Sequence, residues 1–173
     1  MKTREVRRAA LEFVKTLVIA FVLAQFIMTS VAQAFQVEQY SMEPNLLPRD
    51  RVLVNKFVYR FRPPRPGEIV VLHPPNDPGR NYIKRVVAVP GQTVQIRQAH
   101  VYVDGRTLRE PYLAAATDGM YGPAKVPSHE VFVLGDNRDN SEDSRAFGFV
   151  PDTSVVGEAI LIYWPPVRLR VLW

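Results

Sequence analysis

Fifteen prolines are spread over this chain of 173 residues, and they leave little room for long helices in the part that they occupy. Many stand in pairs, as in Pro63-Pro64, Pro74-Pro75 and Pro165-Pro166. Proline lacks a backbone N–H and fixes φ, so it interrupts helices and is kept out of central strands. We therefore expect loops and strand ends at these points, with short strands between them.

The segments between the prolines have the composition of β-strands. They are rich in β-branched and aromatic residues and lack a helical period of useful length. The predicted strands cover 51–59, 68–72, 82–89, 94–97, 100–103, 106–108, 130–134 and 157–163. Asp104-Gly105 is a strong hairpin signal, whereas residues 110–128 predict an exposed loop. The pattern indicates a mainly β domain of antiparallel sheets or a partial barrel.

The N-terminal region differs from the rest of the chain. Residues 17–35 form an apolar run interrupted chiefly by Gln25. Extended toward the N-terminus, this run reaches the roughly 20 residues that a membrane-spanning helix needs. The basic residues before it predict a cytoplasmic N-terminus. A cleaved signal peptide ending near Ala34 fits the same features, and both interpretations export residues 35–173.

Charge and cysteine content exclude several classes of protein. The formal net charge is +5, but four basic residues and one glutamate give +3 within the first eight positions. The exported part then carries about +2, too little for a strong phosphate-binding surface. We therefore expect no nucleic-acid partner. The absence of cysteine excludes a disulfide framework, a zinc ribbon and a thiol nucleophile.

The common catalytic and metal-binding motifs are absent. The sequence has no HExxH, no GxSxG and no phosphate-binding loop. None of His73, His100 and His129 has neighbours that mark it as catalytic, although a spatial Ser/His/Asp triad stays open. The acidic loop 135–148 departs from a calcium-binding loop at three positions. We expect this loop to be structural, with its polar side chains bonded to nearby backbone groups.

Two polar residues allow both a structural and a catalytic interpretation. Ser41 closely follows the apolar run, so it lies either in an exit turn or serves as a nucleophile. Lys84 and Arg85 point to opposite faces of an otherwise apolar strand, so one of them must lie among apolar neighbours or at a cleft. Burial lowers a lysine pKa from about 10.4, and a neutral lysine can deprotonate a hydroxyl. Alternatively, Lys84 lies at a sheet edge and discourages aggregation.

Three segments in one order resemble the bacterial type I signal peptidases, also called leader peptidases. They are SMEP at 41–44, YIKR at 82–85 and GDNRDNSEDSR at 135–145. PGEIVV at 66–71 resembles a further box of the same family. The resemblance covers nearly the whole chain. It implies a membrane-bound serine endopeptidase of family S26 with a Ser/Lys dyad and the antiparallel signal peptidase/LexA-like fold.

The resemblance implies a role for each matching residue. Ser41 would be the nucleophile, Lys84 its general base, and Ser141 the residue that orients the lysine amine. The backbone N–H of Ser41 would stabilise the oxyanion. Gln39 replaces the usual Ser, Thr or Gly, and its amide is the candidate second donor. Asn45 replaces a usual Thr, a change for which the sequence offers no account.

The same resemblance implies how a substrate is selected. The signal peptide of an exported preprotein would bind as an added strand. Shallow apolar pockets would accept alanine, which predicts cleavage after Ala-x-Ala sites. The positions that match the pocket walls are Phe35, Val37, Leu46 and Ile83, and those that match a structural ion pair are Asp143 and Arg145. We expect no cofactor, no metal, and a monomer whose partners are signal peptides and the lipid bilayer.

The resemblance also favours a retained anchor over a cleaved signal peptide. Residues 1–34 would form a cytoplasmic tail and a single transmembrane helix, and 35–173 an extracytoplasmic catalytic domain at the plasma membrane. Two other functions remain open: a Ser/Lys protease of the same fold with another target, and an inactive membrane-anchored binding domain. The first differs from a signal peptidase only in its substrates, whereas the second would have no use for Ser41, Lys84 and Ser141.

Overall fold

One long helix precedes two antiparallel β-sheets. The computed structural model describes the backbone of residues 2–172 and the side chains of residues 7–8, 11–25 and 31–172. The helices are α1 (Lys2–Ser30) and α2 (Ser144–Phe147). The strands are β1 (Ala32–Gln36), β2 (Arg51–Asn55), β3 (Ile69–Leu72), β4 (Tyr82–Ala88), β5 (Thr93–Arg97), β6 (His100–Val103), β7 (Arg106–Thr107), β8 (Tyr121–Lys125), β9 (Glu130–Leu134), β10 (Val150–Pro151), β11 (Val155–Trp164) and β12 (Arg170–Val171).

Helix α1 occupies the region for which an anchor is predicted. The side chains of residues 11–25 are all exposed. Within the part of the chain that the structure describes, no helix has the combined length and hydropathy that a bilayer crossing requires. The predicted transmembrane helix stays a prediction. The domain boundary predicted after Ala34 stays a prediction; that position lies inside β1, and Val31 separates the helix from the first strand.

The larger sheet has eight strands and curls on itself. Its order is β1-β2-β11-β3-β4-β9-β10, with β12 paired to β11, and all its neighbours are antiparallel. Successive antiparallel steps make β1 and β4 run in the same direction. Phe35 of β1 and Ile83 of β4 pack against one core cluster, which also contains Val54 of β2 and Val71 of β3. The curl thus brings the edge strand β1 opposite β4.

The smaller sheet packs beside β4 and β9. Its order is β7-β6-β5-β8. Val94, Ile96 and Val101 of this sheet share a core cluster with Ala88 and Phe132 of the larger one. This second layer braces β4, the strand that carries Lys84.

Most of the predicted strands are confirmed, but three predictions are wrong. The strand predicted at 51–59 ends at Asn55, because the Asn55 side chain accepts hydrogen bonds from the N–H groups of Phe57 and Val58 and turns the chain. The loop predicted at 110–128 contains β8, which pairs with β5. Strand β1 (Ala32–Gln36) overlaps the end of the apolar run at 17–35, where the sequence predicted no strand. The mainly β, antiparallel fold class is confirmed.

Candidate active site

Ser41 lies in a loop, residues 37–50, whose two ends are joined by backbone hydrogen bonds. We call this segment the Ser41 loop. Val37 N donates to Asp50 O, and Arg49 N donates to Val37 O, both over 2.8 Å. Met42 is buried directly after Ser41, whose own side chain is only 7% exposed. This loop follows β1 and presents the Ser41 hydroxyl at the end of the curl. The exit turn expected from the sequence is therefore an ordered loop.

Lys84 approaches Ser41 from β4. Its Nζ donates to Ser41 Oγ over 2.7 Å, and its side chain is 1% exposed. An edge lysine discourages aggregation by placing its charge in solvent, and the 1% exposure of Lys84 excludes that interpretation. Burial lowers the pKa of Lys84 to about 8, against the opposing effect of nearby carboxylates, of which Asp143 is the strongest. A lysine with such a pKa exchanges its proton near neutral pH.

Arg85 is buried on the opposite face of β4 and contacts a carboxylate. Its Nε and Nη2 donate to the two carboxylate oxygens of Asp136 over 2.8 and 2.7 Å. The guanidinium also lies 4.0 Å from the centre of the Tyr112 ring. Sequence alternation indicated one buried cation, whereas the structure buries both. Nothing in the local pattern identified Asp136, 51 residues away, as the partner.

The loop 135–148 is built around the Asp143 carboxylate. Arg145 donates to it from Nε and Nη2 over 2.8 and 2.9 Å, and Gly135 N donates over 3.0 Å. Ser144 Oγ accepts from Val133 N and ties the loop to β9. No group of metal-binding side chains occurs among the described residues. Asp143 and Arg145 are thus in bidentate contact, and the loop has the structural character expected.

Gly135 lets this loop approach Ser41 closely. A Cβ at position 135 would come within 2.5 Å of Ser41 O and would also collide with the Ser141 side chain. Ser141 Oγ itself is buried and has no hydrogen-bond partner among the described residues. The structure therefore brings Ser141 to the Ser41 loop without forming the hydrogen bond to Lys84 that the resemblance implies.

A groove of about 690 Å³ runs along Ser41. One wall is β1 with the loop after it, and the other is the segment 80–83. Of the predicted wall residues, Phe35, Val37 and Ile83 line the groove, and so does the exposed Gln39. Leu46 does not, because its side chain is fully buried in the core. None of the described residues that line the groove is a histidine.

Two asparagines hold the Ser41 loop through contacts that the sequence did not predict. Asn137 donates from its backbone N to Ser41 O over 3.0 Å and from Nδ2 to Tyr40 O over 3.2 Å. Asn45 donates from Nδ2 to Asp136 Oδ2 and to Tyr112 O, both over 2.8 Å. The amide at position 45 thus links the Ser41 loop to Asp136, the partner of Arg85.

Comparison with known proteins gives one consistent family. The family model described as "Signal peptidase, peptidase S26" matches residues 10–164. A signal peptidase I of Leptolyngbya laminosa is 42% identical over 169 residues, which cover 94% of this chain and 83% of the relative. A signal peptidase I of Bacillus amyloliquefaciens is 37% identical over 175 residues, 95% of this chain and 93% of the relative.

A solved structure supports the same assignment. The crystal structure of a signal peptidase I from Enterococcus faecalis V583 is 33% identical and matches with a TM-score of 0.51. The match covers 56% of this chain and 97% of that one. The family model and the solved structure indicate the same family. The chain is therefore an enzyme that belongs to the signal peptidases of family S26, a family of serine peptidases.

Proposed function

We propose that this enzyme removes N-terminal signal peptides from exported preproteins, with Ser41 as the nucleophile and Lys84 as its general base. The observation that carries the proposal is the 2.7 Å contact between Lys84 Nζ and Ser41 Oγ, formed by a lysine that is 1% exposed. In the reactive form the neutral amine accepts the hydroxyl proton as Oγ attacks the scissile carbonyl carbon. The resulting ammonium then protonates the leaving amine.

The environment of Lys84 supports its role as a base. Because burial lowers its pKa to about 8, roughly a tenth of the enzyme carries a neutral amine at pH 7. We assign Ser141 the role of orienting this amine, because its buried hydroxyl has no other partner among the described residues. Asp143 and Arg145 act one step further away by fixing the loop that carries Ser141.

The oxyanion is assigned to the backbone N–H of Ser41. The Ser41 loop is held by Asn137 through two adjacent carbonyl groups, which limits movement of this N–H during the reaction. Gln39 is exposed in the groove wall. Its amide is our candidate second donor, and the flexibility of an exposed side chain predicts a smaller contribution than that of the backbone.

The substrate is proposed to bind as an extended strand between β1 and β4. Among the described residues, β1 is the edge strand of the larger sheet and pairs with β2 alone. Strand β9 pairs with β4 from Arg85 onward. Among the described residues, the backbone of 82–84 therefore has no strand partner on that side and can pair with a substrate. Alternate side chains of an added strand point the same way, so the residues at the first and third positions before the cleaved bond face one wall. The apolar side chains of Phe35, Val37 and Ile83 then favour alanine at both.

We further propose that α1 anchors the enzyme in the plasma membrane, with the N-terminus in the cytoplasm and the β domain outside. Eleven of the residues at 11–25 are apolar, and all are exposed. A surface of this kind is unfavourable in water and favourable in lipid. Ser41 and Lys84 meet within one chain, so the proposed dyad needs no second subunit. If alkaline carbonate released the full chain from membranes, while a chain starting at Val31 behaved identically, this part of the proposal would be wrong.

The decisive experiment is processing of a purified preprotein with an Ala-x-Ala site by the full chain in detergent. Ser41→Ala should abolish cleavage, and Lys84→Ala should lower its rate about 10²- to 10⁴-fold. Lys125→Ala, at an exposed lysine of β8, is the matched control and should retain the wild-type rate. A Lys84→Ala variant within tenfold of wild type would exclude the proposed base. A wild-type rate that rises around pH 6 and not around pH 8 would indicate histidine.

A further inference from the structure

The aromatic ring of Tyr82 lies against the Lys84 amine and also lines the substrate groove. Tyr82 and Lys84 are two residues apart on β4 and so share one face of the strand. The centre of the ring is 5.0 Å from Nζ, and the tyrosine is 6% exposed. The ring therefore takes up space beside the amine that water would otherwise fill.

Glu142 fixes the outer end of this ring. Tyr82 Oη donates to Glu142 Oε2 over 2.8 Å, and the other carboxylate oxygen accepts from Asn76 Nδ2 over 3.0 Å. The edge of Phe147 limits the ring on another side, with 6.3 Å between the two ring centres. Glu142 is itself exposed, so its carboxylate has no structural need for these partners. Its two hydrogen bonds instead restrict Tyr82 and the loop that carries Asn76.

The position of Glu142 in the chain suggests a purpose for this contact. It lies between Ser141 and Asp143. The segment that carries the proposed lysine-orienting serine thus also carries the residue that restrains the ring beside the lysine. Residues 141 and 142 would therefore act on the Lys84 amine together, one directly and the other through the Tyr82 ring.

The ring affects Lys84 through water. The ring face attracts the ammonium form weakly, but the bulk of the ring excludes the water that would stabilise that form far more. Burial is accordingly the largest influence on the pKa of Lys84, and it lowers that pKa. A ring free to move would admit water and favour the protonated form. The charged groups that act on Lys84 are Asp143 and Glu142 from the loop 135–148 and Asp136 after β9, all of which raise its pKa.

We propose that Glu142 is a positioning residue of this enzyme, which holds the Tyr82 ring against the Lys84 amine and keeps water away from it. The proposal rests on the role of Lys84 as the base. Glu142 touches neither the scissile bond nor Ser41. It acts on the reaction through Tyr82, and its effect falls on kcat because the state of the base decides the rate of the chemical step.

The test is a double-mutant cycle on kcat for an Ala-x-Ala preprotein, using the full chain. Tyr82→Phe and Glu142→Ala should each lower kcat roughly three- to tenfold, the range of one lost hydrogen bond, with KM nearly unchanged. The double variant should be no slower than the slower single variant, because both changes remove the same contact. Glu142→Gln keeps an oxygen for the Tyr82 hydroxyl and should recover most of kcat.

The pH profile separates positioning from a general structural role. Tyr82→Phe keeps the aromatic ring and the Glu142 charge but removes the hydrogen bond that restrains the ring. A mobile ring admits water to Lys84, so the rise of kcat with pH should move to higher pH. Asp139→Asn, at an exposed carboxylate of the same loop, is the control and should change neither kcat nor this rise. If Glu142→Ala does not fold at the assay temperature, the Tyr82→Phe profile decides alone.

Any of three results would overturn the proposal. The losses of kcat in the two single variants could multiply in the double variant, or Glu142→Gln could have a kcat as low as that of Glu142→Ala. The third result is a Tyr82→Phe variant whose kcat rises at the same pH as that of the wild type. Lys84→Ala is measured beside them. An active Lys84→Ala variant would refute the proposed base itself. An inactive one, together with multiplying losses, would leave the base in place and refute only the role of Glu142.

Discussion

Replacing Lys84 with methionine should make the protein more stable while it abolishes activity. Methionine has a similar length and no charge, so it can fill the space of a side chain that is 1% exposed. In the native protein the pKa of Lys84 falls from its ordinary 10.5 to about 8 because burial disfavours the charged form. That lowering corresponds to about 3 kcal/mol of unfolding free energy lost below pH 8.

The direction of the effect follows from proton binding. Below pH 8 the folded and unfolded chains both hold the lysine proton, and the folded chain bears the full penalty of a buried ammonium group. Between pH 8 and 10.5 only the unfolded chain keeps the proton, so wild-type stability rises with pH. Lys84→Met avoids the penalty throughout and loses one hydrogen bond, worth about 1 kcal/mol. The net gain is therefore about 2 kcal/mol at pH 7.

The measurement is urea unfolding of the full chain at fixed detergent concentration, followed by circular dichroism at pH 7 and at pH 10.5. The gain of Lys84→Met at pH 7 should disappear at pH 10.5, where wild type no longer carries the charge. Lys125→Met, at an exposed lysine, should change the unfolding free energy by less than about 0.5 kcal/mol at either pH. A Lys84→Met variant less stable than wild type at pH 7 would refute the reasoning about burial.

Two further predictions concern the Ser41 loop. Gly135→Ala should lower kcat at least about tenfold and lower Tm, because its methyl group would come within 2.5 Å of Ser41 O. The control is Gly79→Ala, whose methyl group would meet Asp77 Oδ1 at 3.7 Å and should change neither quantity. Equal effects of the two substitutions would contradict this account. Gln39→Ala should slow cleavage much less than Ser41→Ala, by under about tenfold, in the same processing assay. Comparable losses would identify Gln39 as an essential oxyanion donor.

The strands were predictable because their signal is local. The alternation in β4 and the prolines that flank β3 are contained within a few residues, so pattern alone identified both strands. The same alternation indicated that a cation at 84 or 85 is buried. The meeting of Lys84 with Ser41, 43 residues apart, does not follow from that pattern. The resemblance to a family supplied that pair.

The errors share a physical cause. Strand β1 forms because β2 lies opposite it in full register, and that pairing outweighs the apolar character that linked its residues to the helix. Leu46 was assigned to a pocket wall, but the closed loop that carries Ser41 turns Leu46 into the core. Strand β8 depends in the same way on β5. Each of these outcomes is decided by a partner elsewhere in the chain, which a local pattern does not contain.

Lys84 and Arg85 show how one strand handles two buried cations differently. Arginine cannot lose its proton, so Arg85 requires a carboxylate and has Asp136 in bidentate contact. The three carboxylates whose charges act on Lys84 already accept hydrogen bonds from other groups; these are Asp136 from Arg85 and Asn45, Asp143 from Arg145 and Gly135, and Glu142 from Tyr82 and Asn76. The Lys84 amine donates to the hydroxyl of Ser41, which stabilises its charge weakly. A lysine in this position releases its proton near neutral pH, whereas Lys84→Arg would bury a permanent charge beside Ser41 and leave no neutral amine there.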